Sequence, residues 1–92
     1  MPTATQITFT QPDLNRARCQ ALFSSALQPS DTPTADMVAA AISRAVAQFG
    51  IGGCADRMAQ EFGDHPDVAA ARMRWVRHLI AQRPATQRQE AA

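Results

Sequence analysis

Two histidines, two cysteines and the run Gly50-Ile51-Gly52-Gly53 are the residues whose types could do chemistry. A metal site needs several His, Cys or carboxylate groups converging at ligand spacing. His65 and His78 lie thirteen residues apart, and Cys19 and Cys54 form no CxxC pair. Both histidines therefore read as solvated: His65 follows a helix cap, and His78 falls on a polar face with Arg74 and Asp67. Cys54 stands in the first turn of an expected helix, where a thiol pKa is lowered. It also borders an apolar stripe, so a buried structural thiol is the expectation. Cys19 lies within its own helix's stripe and reads as core. The glycine run could bring backbone amides to a phosphate. Phosphate loops of the familiar kind follow a β-strand and carry a lysine and a hydroxyl, whereas this run follows a helix and has neither. No carboxylate pair or serine motif adds an enzymatic case. The expectation is a non-enzyme with no cofactor, no metal and no small-molecule substrate.

The elements that must position these groups are clearest between Gly53 and Ile80. Ile51, Ala55, Met58 and Phe62 recur at spacings of 4, 3 and 4, within an arc of about 60°. Cys54 and Ala59 flank that stripe. Gly63 is placed to end this helix in left-handed geometry. Asp64 then reads as the next N-cap, with Pro66 in the first turn and Asp67 completing an acidic capping box. In the last helix Ala69, Met73, Val76 and Ile80 share one face, and Val68, Trp75 and Leu79 widen it to roughly 160°. Arg72 projects from the middle of that arc. Its stem is expected on apolar neighbours and its head at an acid or water. So wide a face calls for two partners, a core on one side and something else on the other.

Upstream, Pro12 and Asp13 suit the opening turn of a first helix, and Cys19, Leu22, Phe23, Ala26 and Leu27 form its stripe. That helix is expected to stop before Pro29. Thr32 reads as the N-cap of a second helix, whose stripe is Val38, Ile42, Ala45 and Phe49, with Ala35 and Val46 alongside. Gly50 is expected to end it, with Gly52 and Gly53 making a tight, flexible link. The fold class is all-α: a compact bundle of about four short helices near 12–27, 33–49, 53–62 and 65–82, with a helix-turn-helix-like C-terminal pair. Residues 1–10 read as a flexible arm with alternating Ile7 and Phe9, or as one that docks on a second chain. Residues 11–82 form the single domain, and 83–92 a disordered tail.

Ninety-two residues with a formal net charge of +1 make one small domain with a marginal core, too weakly charged overall to imply a nucleic-acid or membrane partner. There is no lysine, so every basic side chain that is always charged is an arginine. Up to His65 there are four arginines and six acids; beyond it five arginines face Asp67 and Glu90. The C-terminal end is thus basic on a mildly acidic body. No apolar run of membrane-spanning length and no secretory leader is expected, which points to a cytoplasmic protein with reduced thiols.

Met58 to Trp75 has the outline of a helix-turn-helix, whose second helix reads bases with its N-terminal residues. Those residues would be His65, Asp67, Ala70 and Ala71, acidic or too small to bond base edges. Arg74, Arg77 and Arg83 are better placed for phosphates than for readout. The strings LFSSALQPSDTPTADMV and GCADRMAQEFGDHPDVAAARMRW resemble small helical proteins of actinobacteria, over about residues 22–80. That resemblance implies a bacterial, cytoplasmic, independent module and brings no activity with it. The leading expectation is an interaction or regulatory module, a homodimer or an adaptor for a protein partner, using Val68, Arg72, Trp75 and Leu79. The alternative is a DNA-binding regulator contacting nucleic acid through Arg74, Arg77 and Arg83.

Overall fold

In a computed structural model of the chain, residues 11–82 are described. They form α1 (Gln11–Ser24), a 3-10 turn (Pro29–Asp31), α2 (Ala35–Asp64) and α3 (Pro66–Gln82). The all-α expectation holds. The expected four helices are three, because α2 runs through both middle segments. The expected arm 1–10 and tail 83–92 lie outside the described residues.

The two middle segments join at a single residue. Gly50 has φ 75 and ψ 164, the one non-helical residue inside the 30-residue α2. That backbone region is open essentially to glycine alone. Gly50 does interrupt the helix as its type suggests, but Gly52 and Gly53 are helical rather than a flexible link. Gly53 sits where a side chain would crowd the bend: a Cβ there would come 3.1 Å from Phe49 Cβ. The Arg57 guanidinium lies 4.1 Å from the centre of the Phe49 ring, and the Cys54 thiol reaches back to Ala45 O at 3.6 Å. Both contacts tie the second arm of α2 to the first.

Other boundaries shift for local reasons. α1 stops at Ser24, three residues short of the expected end. Ser25 donates to Leu22 O through both its backbone N–H (3.1 Å) and its hydroxyl (2.6 Å), tightening the chain into a turn. Ala26 is consequently exposed rather than part of the stripe. The N-cap of α2 is Thr34, not Thr32: its hydroxyl accepts from Met37 N at 3.2 Å, while Thr32 takes a left-handed φ of 48 in the preceding turn. Gly63 has no positive φ, and α2 continues to Asp64. His65 alone links α2 to α3: its N–H donates to Glu61 O at 2.7 Å and its carbonyl accepts from Ala69 N at 2.8 Å. Asp64 is therefore the last residue of α2 and not the cap of α3. Pro66 opens α3, at the position where its missing N–H costs nothing.

The core is where the sequence spacing is most regular. Ala69, Met73, Val76 and Ile80 of α3 are buried against Leu22 and Phe23 of α1 and Val38 and Ala41 of α2. Phe23 and Phe62 stack across this core, ring centres 5.9 Å apart. Under the bend of α2, Ala21, Ala45 and Cys54 form a second, tighter cluster. Small residues on both helices let the backbones approach there. Ile51 leaves the expected stripe and is 55% exposed, because it follows the bend directly on its outer side. Cys54, with Met58 and Phe62 half-buried below it, carries the inward face instead. One exclusion made from the sequence also changes. By length and composition alone, α2 is long and apolar enough to cross a bilayer, because its alanines lengthen an apolar run that the two-segment reading had divided. In the fold it is bent at Gly50 and contributes Val38, Ala41, Ala45 and Cys54 to the core.

The bend gives a paired expectation. Gly50→Ala should cost about 1–3 kcal/mol, the usual scale for a residue forced into a sparsely populated region. Gly52→Ala, in helical geometry with open space at its Cβ, should instead stabilise by about 0.5–1 kcal/mol. Urea unfolding of the two variants beside the wild type checks both signs.

Candidate functional site

The four residues expected at an interface form one row along α3, at spacings of 4, 3 and 4, next to the buried row of Ala69, Met73, Val76 and Ile80. Val68 is 65% exposed, the most exposed of the large apolar side chains among the described residues. Trp75 and Leu79 are half-buried, each with part of its surface packed on the core. Arg72 lies between them and points inward.

The Arg72 head meets backbone carbonyls rather than an acid. Its Nε donates to Phe23 O at 2.8 Å, and its Nη2 donates to Leu27 O at 2.9 Å, Ser25 O at 3.0 Å and Leu22 O at 3.4 Å. Nη2 has two hydrogens, so the longest of its three contacts is a shared, weak one. Phe23, Ser25 and Leu27 lie at the end of α1 and in the following turn, where intrahelical donors run out, while Leu22 O accepts from Ser25 as well. A cation at a helix C-terminus also meets the negative end of the helix dipole. The guanidinium lies 5.2 Å from the Trp75 ring centre and 5.7 Å from that of Phe23. Burial lowers the Arg72 pKa from its ordinary value, without removing the charge near neutrality.

Arg74 and Arg77 are exposed, and Arg83 lies outside the described residues. The positive charge of Arg77 acts on the Cys19 thiol. His65 Nδ1 stands 3.4 Å from Glu61, and His78 meets Gln82 at 2.9 Å, both in exposed i,i+4 pairs. Among the described residues no three His, Cys or acidic side chains gather as a metal site would require. The glycine run is built into α2, so it is not an open loop of amides.

Cys54 is buried, at 1% exposure, and Cys19 is half-buried. Burial raises the pKa of both above the ordinary 9.0. Arg77 partly offsets this for Cys19, and a Ser24 hydrogen bond and Arg57 do so for Cys54. The helix-start position that could have activated Cys54 is thus outweighed by desolvation. Ser24 also donates from its hydroxyl to Cys54 O at 3.0 Å, joining the end of α1 to the bend of α2.

Sequence reasoning placed Arg72 in an apolar arc but did not find its partners. The signal was present in Ser24-Ser25, a pair that favours stopping a helix and leaving carbonyls to be met. The Arg57–Phe49 contact was not legible, because eight residues of continuous helix would not bring those side chains together. A further groove of about 530 Å³ opens between α1, the second arm of α2 and α3, with Cys19, Met58, Met73 and Ile80 as its apolar floor. Comparison with protein-family models, curated proteins and solved structures finds no match to this chain.

Two outcomes follow. Arg72→Lys keeps the charge but loses the forked donor, and should lower stability by about 1–3 kcal/mol in urea unfolding. The thiols set an alkaline limit. A thiol pKa raised in the folded state contributes stability that is intact below about 9 and lost as pH rises through the folded value. The slope of unfolding free energy against pH between 8 and 10.5 should therefore be shallower in Cys54→Ala than in the wild type, whatever the absolute stabilities.

Proposed function

We propose that the protein is a small non-enzymatic interaction module that self-associates or binds a protein partner through the outer row of α3. The observation that carries this reading is Val68, exposed at 65% in the same row as half-buried Trp75 and Leu79. The row's one charged member, Arg72, is turned onto α1 carbonyls, so the row offers a partner apolar surface with little charge to desolvate. Trp is among the residues that dominate binding hot spots, and here Trp75 is held by core packing and the Arg72 guanidinium. Arg72 in this reading orients the surface and does not contact the partner. A bacterial, cytoplasmic setting agrees with the resemblance to small actinobacterial helical proteins, which carries no activity with it.

A DNA-binding role is the second reading, favoured by the exposure of Arg74 and Arg77 on α3. It is weaker on two counts. A helix-turn-helix joins its helices by a turn of about three or four residues, and here only His65 separates α2 from α3. The start of α3 also presents Asp67, with Asp64 just before it at the end of α2, where bases would be read. Binding of genomic fragments at low salt that weakens in Arg74→Ala/Arg77→Ala would favour it.

The discriminating variant is Val68→Glu, because Val68 contributes little to the core. Light scattering should show a wild-type mass above that of one chain, or retention of a protein partner, and Val68→Glu should lower either by about tenfold in affinity with unchanged helicity. A wild type that is monomeric and retains no protein partner contradicts the proposal.

A further inference from the structure

The groove between α1, the second arm of α2 and α3 lies across the buried row of α3 from the Val68 row, so the two surfaces are separate. Two helical stripes build its walls. On α1 the lining residues recur at i, i+3, i+4, i+7 and i+8 from Pro12 to Gln20, and on α3 at i, i+4, i+7 and i+8 from Met73 to Ala81. The floor is apolar and rich in sulfur. Met58 and Met73 have unbranched, polarizable side chains that adapt to the shape of an apolar body, and Cys19 lies between them and α1. The groove's volume of about 530 Å³ falls within the roughly 300–1,000 Å³ of small-molecule sites, which are likewise mostly apolar with a few placed polar groups.

The rim has one sign of charge. Arg16 and Arg77 line it, and no aspartate or glutamate does. Among the described residues the ion pairs are Arg16 with Asp13, at 3.4 Å, and His65 with Glu61. Arg77 therefore has no acid to balance it, and it stands close enough to the floor for its charge to act on the Cys19 thiol. With Arg16 shared by Asp13, the positive charge left over is that of Arg77, which a single carboxylate balances and a phosphate dianion would exceed. A guanidinium fork also matches a carboxylate through two parallel N–H···O bonds. From Pro12 to Gln20 the α1 wall is about 12 Å long at 1.5 Å per residue, so the ligand's apolar part is a chain of moderate length lying along it.

We propose that this groove binds an amphipathic monocarboxylate, a medium-chain fatty acid, with its hydrocarbon on Cys19, Met58, Met73 and Ile80 and its carboxylate on Arg77. Asn15 and Gln20 add amide donors on the α1 side.

Decanoate is the probe, used with the full chain and below its micelle-forming concentration. Equilibrium dialysis should show saturable binding of one decanoate per chain. Decanol, of the same length without the charge, should bind about tenfold more weakly, and Arg77→Gln should weaken decanoate by about the same factor. Arg74→Gln, at an exposed arginine outside the groove, should leave it unchanged. Iodoacetamide labelling followed by mass spectrometry then locates the ligand: decanoate should slow labelling of Cys19 and leave buried Cys54 at its own rate. The absence of saturable binding overturns the proposal, as does binding that decanol matches or that Arg77→Gln leaves unchanged. Saturable binding that does not protect Cys19 also overturns it, because the ligand would then lie elsewhere. A Cys19 rate that falls with rising protein concentration in the absence of decanoate contradicts it too, assigning the groove to a second copy. Val68→Glu should bind decanoate as the wild type does, so this proposal and the interaction reading of the outer row can fail separately.

Discussion

A half-buried guanidinium held against the end of a helix is the contact on which this small fold depends. The chain leaves α1 after Ser24, and the carbonyls of Phe23, Ser25 and Leu27 lie where intrahelical donors run out. Arg72 meets these three, and Leu22 O more weakly, from a single position on α3. Leaving a buried carbonyl without a donor costs about 1–3 kcal/mol, a large share of what a domain of this size has in hand. Lysine offers a point charge where a planar fork is needed. The same contact fixes the rotation of α3, and so decides which of its rows is buried and which faces outward.

The second constraint is the bend at Gly50. Without it, the second arm of α2 would extend away from α1, and Cys54 could not reach the Ala21–Ala45 cluster. A residue confined to glycine's region of backbone space therefore sits at the corner of the bundle. Arg57 on Phe49, the Cys54 thiol on Ala45 O and the Ser24 hydroxyl on Cys54 O hold the corner from three directions. The outer row of α3 and the groove beside α1 are both consequences of this geometry, on different sides of α3.

Much of this was legible where the physics is periodic. The inner row of α3 and most of the α1 and α2 stripes follow from apolar spacing, since a helix converts spacing into a face. The ends were read less well. Thr34 rather than Thr32 caps α2, and His65 rather than Asp64 stands between α2 and α3, because several polar residues compete for each cap and tertiary packing chooses. Gly63 and Gly50 have the same side chain, yet only Gly50 takes a positive φ. Nothing local separates them; the need to bring two arms of α2 onto α1 does. The role of Arg72 was least legible, because its partners are backbone atoms, which every residue possesses and no sequence marks. The row around Val68 was visible as surplus apolar width, and its exposure is a matter of which side of α3 the Arg72 contact turns outward.

The most direct measurement is side-chain NMR of the arginine Nε–H groups. Nine arginines are present in the chain. A guanidinium held on helix-end carbonyls predicts one Nε–H, assigned to Arg72, exchanging with solvent far more slowly than the rest and coupled across its hydrogen bond to the Phe23 carbonyl. Exchange of Arg72 at the same rate as exposed Arg74 would contradict the account at its centre.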